Sequence, residues 1–147
     1  MYYLGLDVGS SSVKAAIVDA KSGKSILSVH EPKNEMGINS LNNDWAEQDP
    51  NMWWKYTCDA IKRVCKESNV DSKKIGSIGI SYQMHGLVVV DKNGSPLRDC
   101  IIWCDSRAIN IGNEAFEKLG QKKCMSHLLN SPGNFTASKL KWVKDNE

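Results

Sequence analysis

Tyr2–Val8 is rich in aromatic and branched residues, and over Val13–Asp19 apolar positions alternate with others, so both read as strands. Gly9-Ser10-Ser11-Ser12 separates the two runs and Lys21-Ser22-Gly23-Lys24 follows the second. Both read as turns, and Ser25–His30 completes a predicted antiparallel meander. Residues 31–44 have no period, are rich in Asn and Gly, and read as a loop. Asp49 and Pro50 then cap and start a helix, because the N–H that proline lacks is one that a helix start leaves unpaired anyway. Trp54, Cys58, Ile61 and Cys65 predict its buried face, and the helix should end near Ser68. The adjacent Trp53 and Trp54 cannot face the same way. Ile75–Ser81 and Leu87–Asp91 read as the fourth and fifth strands, with a turn at Asn93-Gly94. Ile101-Ile102-Trp103 is a short buried segment. Ile109–Leu119 is a helix stopped by Gly120, and Ala137–Lys144 is a last helix.

A meander, a crossover helix and further strands is the pattern of a ribonuclease-H-like α/β lobe, here with a mixed five-stranded sheet and flanking helices. The 147 residues make one domain or one lobe of something larger. A chain of that size buries roughly 70% of its unfolded surface and needs no metal or disulfide staple. Lys and Arg number 19 against 17 Asp and Glu, a formal charge of +2. That small excess gives no basic field, which excludes nucleic acid and an anionic membrane as partners. The longest clean apolar run, Leu87–Val90, falls far short of the ~18 residues of a membrane span. The amino terminus lacks a basic region and reaches Asp7 too early for a signal peptide, so the expected compartment is the cytoplasm. Cys58, Cys65, Cys100, Cys104 and Cys124 form no Cys-x-x-Cys pair, and His30, His85 and His127 are scattered. They read as reduced thiols rather than a zinc site or a disulfide framework.

Three segments carry chemistry. In Asp7-Val8-Gly9-Ser10-Ser11-Ser12-Val13-Lys14 a carboxylate ends one strand and a glycine-serine turn opens the next. Gly9 admits close backbone approach, and the N–H and hydroxyl groups after it suit phosphate oxygens. Asp7 would hold Mg²⁺ or its water, and Lys14 would add positive charge or face solvent. A plain hairpin turn has the same composition, and the segment is neither a Walker loop nor a dinucleotide fingerprint. Gln83-Met84-His85-Gly86 lies between predicted strands, a common site geometry, where His85 could meet a sugar hydroxyl or be structural. In Trp103-Cys104-Asp105-Ser106-Arg107 the acid and base project to one side if extended, as a sugar-hydroxyl site or as a local ion pair. Trp45-Ala46-Glu47-Gln48-Asp49-Pro50 reads as architecture.

Taken together, these segments, with Pro132-Gly133 through Phe135-Thr136-Ala137 to Lys139-Leu140, resemble the FGGY family of carbohydrate kinases, and within it the xylulose kinases, over the whole chain. The resemblance implies a lobe of the actin and hexokinase type, ATP and Mg²⁺ as cofactors, and γ-phosphoryl transfer to a sugar, D-xylulose before D-gluconate. It places Asp7, Gly9, Ser10, Ser11 and Lys14 on the phosphate and Mg²⁺ side. It places Gln83, Met84, His85, Asp105 and Arg107 on the sugar side. Two positions depart from the pattern: Tyr82 stands where glycine is common, and Ser138 where proline is.

Family members are about three times longer, as two lobes require. The resemblance therefore implies an N-terminal part, residues 1–147, with the catalytic base beyond Glu147 and none within. The isolated chain should then turn over little or nothing. A homodimer of the longer protein is compatible with this. Two other readings compete. A nuclease of the same fold class would need carboxylates around a metal pair, but Gln83 and His85 stand at the fourth-strand end. A non-catalytic sugar-sensing or partner-binding lobe would need no base.

Overall fold

The computed structural model describes all residues from Met1 to Glu147. The chain divides into two compact units, one of residues 1–37 and 50–83, the other of residues 38–49 and 84–147.

The first unit is a sheet covered by one helix. Strands β1 (Tyr2–Val8), β2 (Val13–Asp19), β3 (Ser25–Glu31) and β5 (Ile75–Tyr82) form a four-stranded sheet in the order β3-β2-β1-β5. β1 and β2 run antiparallel, as do β2 and β3, whereas β5 joins β1 in parallel. The helix α1 (Pro50–Ser68) makes the crossover that a parallel return requires. The alternation of β1 and β2 sends Leu4, Leu6, Val13, Ala15 and Ile17 to one face, where they pack with Val29 against Ala60 and Val64 of α1. Asp7 and Lys14, register partners, fall on the opposite face.

The buried stripe of α1 is Thr57, Ala60 and Val64, rather than one led by Trp54, which is 70% exposed. The small Ala60 lets the helix approach the sheet, and Tyr56, Ile61 and Cys65 flank it half-buried. The stripe is thus rotated toward the smaller residues, a choice that apolar spacing alone does not reveal. Ile78, Ile80 and Tyr82 of the edge strand β5 remain exposed.

The second unit is built on loops and short helices. Strand β4 (Glu47–Gln48) pairs antiparallel with β6 (Cys100–Ile101). The predicted fifth strand at Leu87–Asp91 is instead an irregular segment, with single bridges from Leu87 to Ile101 and from Val90 to Pro96. The principal sheet accordingly has four strands, not five. Asp91 closes the Asn93-Gly94 turn by accepting from the N–H groups of Asn93 and Ser95, and Gly94 takes a φ of +84° there. Helices α2 (Ile109–Leu119), α3 (Gln121–His127) and α4 (Thr136–Asn146) follow. Short α3 has no signal in the hydropathy pattern; it starts directly at the Gly120 that stops α2.

Gly112 in α2 lies against the turn Pro132–Asn134 so closely that a Cβ would sit 2.6 Å from Pro132 O and overlap the backbone of Gly133. Gly112→Ala should therefore destabilise the second unit by about 1–3 kcal/mol, the usual range for overpacking. A lowered urea midpoint with an unchanged slope checks this.

Candidate functional site

In the first unit, the Asp7–Lys14 register pair is closed by an ion pair of 3.6 Å whose side chains are 50% and 62% exposed. So exposed a pair adds little stability and gives way readily to a ligand's charges. Ser81 is the register partner of Asp7 on β5, and Gly79 that of Gly5, so small side chains border the carboxylate on that side. The turn is tightened by Gly9 N–H donating to Ser12 O at 3.1 Å, and a Cβ at Gly9 would press on that same oxygen at 3.0 Å. Met36 N–H donates to Ser11 O at 2.8 Å and braces the turn from the β3 loop.

A cavity of about 330 Å³ opens beside it, lined by Ser11, Ser12, Lys14, His30, Pro32, Lys33 and Glu35. His30 and Lys33 were not expected at this side. The register of β2 with β3 sets His30 opposite Lys14 and brings it there, and Lys33 follows two residues after the end of β3. Hydroxyls and cations suit an anion. A lone carboxylate such as Asp7, a hard oxygen donor, suits Mg²⁺, which takes one or two protein carboxylates and fills its shell with phosphate and water. No group of three or more His, Cys, Asp or Glu assembles elsewhere that could hold a metal by protein ligands alone.

Gln83 ends this unit. Its N–H donates to Val8 O at 3.0 Å, yet its side-chain Oε1 and Nε2 are buried without a hydrogen-bond partner. An unpaired buried amide costs about 1–3 kcal/mol.

In the second unit, Met84 is 65% exposed and His85 has a φ of +65°. That left-handed backbone is strained for a side chain with a Cβ, by about 1 kcal/mol or more. The His85 ring stacks on Phe135, with centroids 4.7 Å apart and planes 15° from parallel. Thr136 Oγ1 donates to Gly86 O at 3.2 Å, and the buried ammonium of Lys139 donates to His85 O at 2.9 Å. The sulfur of Cys100 lies against Gly86, where a Cβ would meet it at 3.2 Å. Burial pushes the Cys100 thiol up to about 11.

Asp105 and Arg107 come together, and with more partners than their spacing suggests. Asp105 is 1% exposed. Its carboxylate accepts from Ala46 N–H at 2.6 Å, from Arg107 N–H and Nε at 3.0 Å, and from Arg107 Nη2 at 2.7 Å. Arg107 Nη1 lies 2.7 Å from Glu47 Oε1, which also pairs with Arg98. The guanidinium carbon sits 3.8 Å from the Trp45 ring centroid and 5.0 Å from that of Trp142, and the two rings meet edge to face. The Trp45–Pro50 segment, read as architecture, therefore supplies both a counter-ion and an aromatic wall. Its Glu47 carried no signal by itself.

The departures have local consequences. Tyr82 is 69% exposed at the edge of β5. Ser138 is buried, with N–H donating to Phe135 O and Oγ donating to Pro132 O at 2.7 Å, so it ties the first turn of α4 to the preceding turn. A proline there would lack both donors.

A mixed sheet with an aspartate-glycine-serine turn between its first two strands and a helical crossover to a parallel fourth defines an α/β lobe of the actin and hexokinase type. The chain belongs to the FGGY family of carbohydrate kinases, whose N-terminal domain matches residues 2–147. It is 35% identical over 144 residues to a xylulose kinase of Staphylococcus epidermidis, covering 98% of this chain and 28% of that one. A xylulose kinase structure from Brucella ovis superposes with a TM-score of 0.85 at 34% identity, over 99% of this chain and 30% of that one. A gluconate kinase structure from Lactobacillus acidophilus gives 0.82 at 25% identity, over 99% and 28%. The chain thus spans under a third of the length of these relatives. No helix is long and apolar enough to cross a membrane.

Two outcomes test this geometry. Arg107→Met, which leaves Asp105 without its cation, should lower stability by about 3–5 kcal/mol in urea unfolding, and Arg107→Lys should rescue little because it lacks the planar fork. The Cys100 thiol stays protonated in the folded chain while the unfolded thiol ionises from its ordinary 9.0. Stability from this group is therefore full below pH 9 and lost as pH rises toward 11, on the order of 2 kcal/mol. Cys100→Ala should flatten the fall in urea midpoint over that interval.

Proposed function

We propose that the chain is the N-terminal part of an ATP-dependent sugar kinase that phosphorylates D-xylulose, with residues 1–147 forming a first lobe that lacks its catalytic base. The observation that carries the reading is the Gln83–Gly86 segment. A buried amide without a partner and a left-handed histidine adjoin each other there, and such costs persist where a ligand repays them. Gln83, Met84 and His85 meet the sugar hydroxyls. Asp105 and Arg107 serve that side from behind, since their charged atoms face each other and Glu47.

On the phosphate side, the Gly9–Ser11 turn and Lys14 receive the nucleotide's phosphates, and Asp7 holds Mg²⁺ directly or through water. Mg²⁺ would neutralise charge on the transferred group, and the protein's part is positioning. The exposed Ile78, Ile80 and Tyr82 support a larger assembly, because an apolar edge strand is normally covered. Curated relatives named as xylulose kinases favour D-xylulose over D-gluconate. ATP and sugar are the partners, the cytoplasm the compartment, and a homodimer of the longer protein is compatible with the lobe.

The test is ADP release with ATP, Mg²⁺ and D-xylulose, from the 147-residue chain and from a version extended to the length of its relatives. D-gluconate, L-ribulose and glycerol run in parallel. The extended protein should prefer D-xylulose and the short one should be silent. Asp7→Asn in the extended protein should cut kcat about 100-fold with KM for the sugar little changed, since it removes charge stabilisation and not sugar contact. An extended protein silent on every sugar would overturn the kinase reading, and D-xylulose binding without ADP release would favour a sugar-sensing lobe.

A further inference from the structure

Lys139, in the second turn of α4, is wholly buried. Its ammonium donates to His85 O at 2.9 Å, Asn134 O at 2.9 Å and Asn134 Oδ1 at 2.8 Å. Three donors meet three acceptors, and all three acceptors are neutral. Burial lowers its pKa from the ordinary lysine value, and the nearby Asp105 charge offsets part of that. If this position only filled space, an apolar side chain would serve without the cost of a buried cation.

The acceptors identify what the cation accomplishes. Lys139 N–H donates to Phe135 O at 3.2 Å, so its main chain is tied to the residue on which the His85 ring stacks. The stretch from Asn134 to Lys139 therefore grips His85 at its carbonyl and its ring, and grips the next carbonyl, Gly86 O, through Thr136. The left-handed conformation of His85 is unfavourable by itself, and these contacts are what hold it.

We propose that Lys139 is a positioning residue for sugar recognition, tethering the His85 carbonyl so that the imidazole is presented in one orientation. The proposal rests on the reading of His85 as a sugar contact. It assigns α4 a functional duty beyond packing.

The experiment compares the chain with its Lys139→Met and Lys139→Arg variants by carbon–proton NMR of the labelled His85 ring and by titration with D-xylulose. Far-ultraviolet circular dichroism and a cooperative urea transition establish that each variant is folded. Stacking on Phe135 displaces the His85 ring resonances, so Lys139→Met should move them toward free-histidine positions. It should also weaken D-xylulose binding about tenfold. Lys139→Arg, which keeps a donor for the carbonyl, should recover part of both effects. If Lys139→Met does not fold, Asn134→Ala replaces it, since it withdraws one acceptor and should shift the same resonances less. Ring resonances that stay at their wild-type positions overturn the proposal, as does unchanged affinity. A wild-type chain that does not bind D-xylulose overturns the sugar reading of His85 itself, whatever the variants show.

Discussion

The guanidinium of Arg107 is taken out of water almost completely, and the second unit depends on what repays that cost. Two carboxylates and two tryptophans surround it. They come from three stretches of chain: Trp45 and Glu47 from the entry to α1, Asp105 from the loop after β6, and Trp142 from α4. A planar cation with a forked donor set fits two acids and two aromatic faces at once, which an ammonium could not do. Asp105 extends the bond outward by accepting from the Ala46 N–H, and Ile102 N–H donates to Ala46 O at 3.0 Å. Two short strands of two residues each would not hold together unaided; the buried charges fix their pairing.

The buried cations divide their labour. Arg107 joins loops into a scaffold, whereas Lys139 reaches neutral oxygens and ties the strained turn at His85 to Asn134. In the first unit the logic is reversed. There the sheet and α1 make an ordinary apolar core, and the charged residues, Asp7 and Lys14, are left half in solvent at the end of the hairpin. Asp105, Arg107 and Glu47 build structure in the second unit, whereas Asp7 and Lys14 stay accessible in the first.

The regular elements were legible because their signals are local. Strand-forming composition, alternation and tight turns placed β1, β2 and β3, proline started α1, and Gly120 ended α2. Where long-range packing decides, the pattern misled. Leu87–Asp91 is apolar enough for a strand, but its isolated bridges to Ile101 and Pro96 leave it without a ladder. The α1 stripe turned on Ala60 rather than on Trp54, because close approach to the sheet favours the smaller side chain. For the site, the Asp7 hairpin and the Gln83–Gly86 segment were visible as motifs. Glu47, Phe135 and Lys139 fell within quoted segments, but their roles did not show, since their decisive contacts are with residues about 50 to 60 positions away in sequence, a separation that spacing arguments do not reach.

We propose that phosphate binds at the hairpin and sugar at the left-handed turn. Amide-resolved NMR of the labelled 147-residue chain tests it most directly, with MgATP and D-xylulose added in separate titrations. The account predicts saturable shifts confined to Gly9–Lys14 and their neighbours for MgATP, and to Gln83–Gly86 and Phe135 for D-xylulose. Shifts from both ligands on the same residues, or none at either segment, would contradict it.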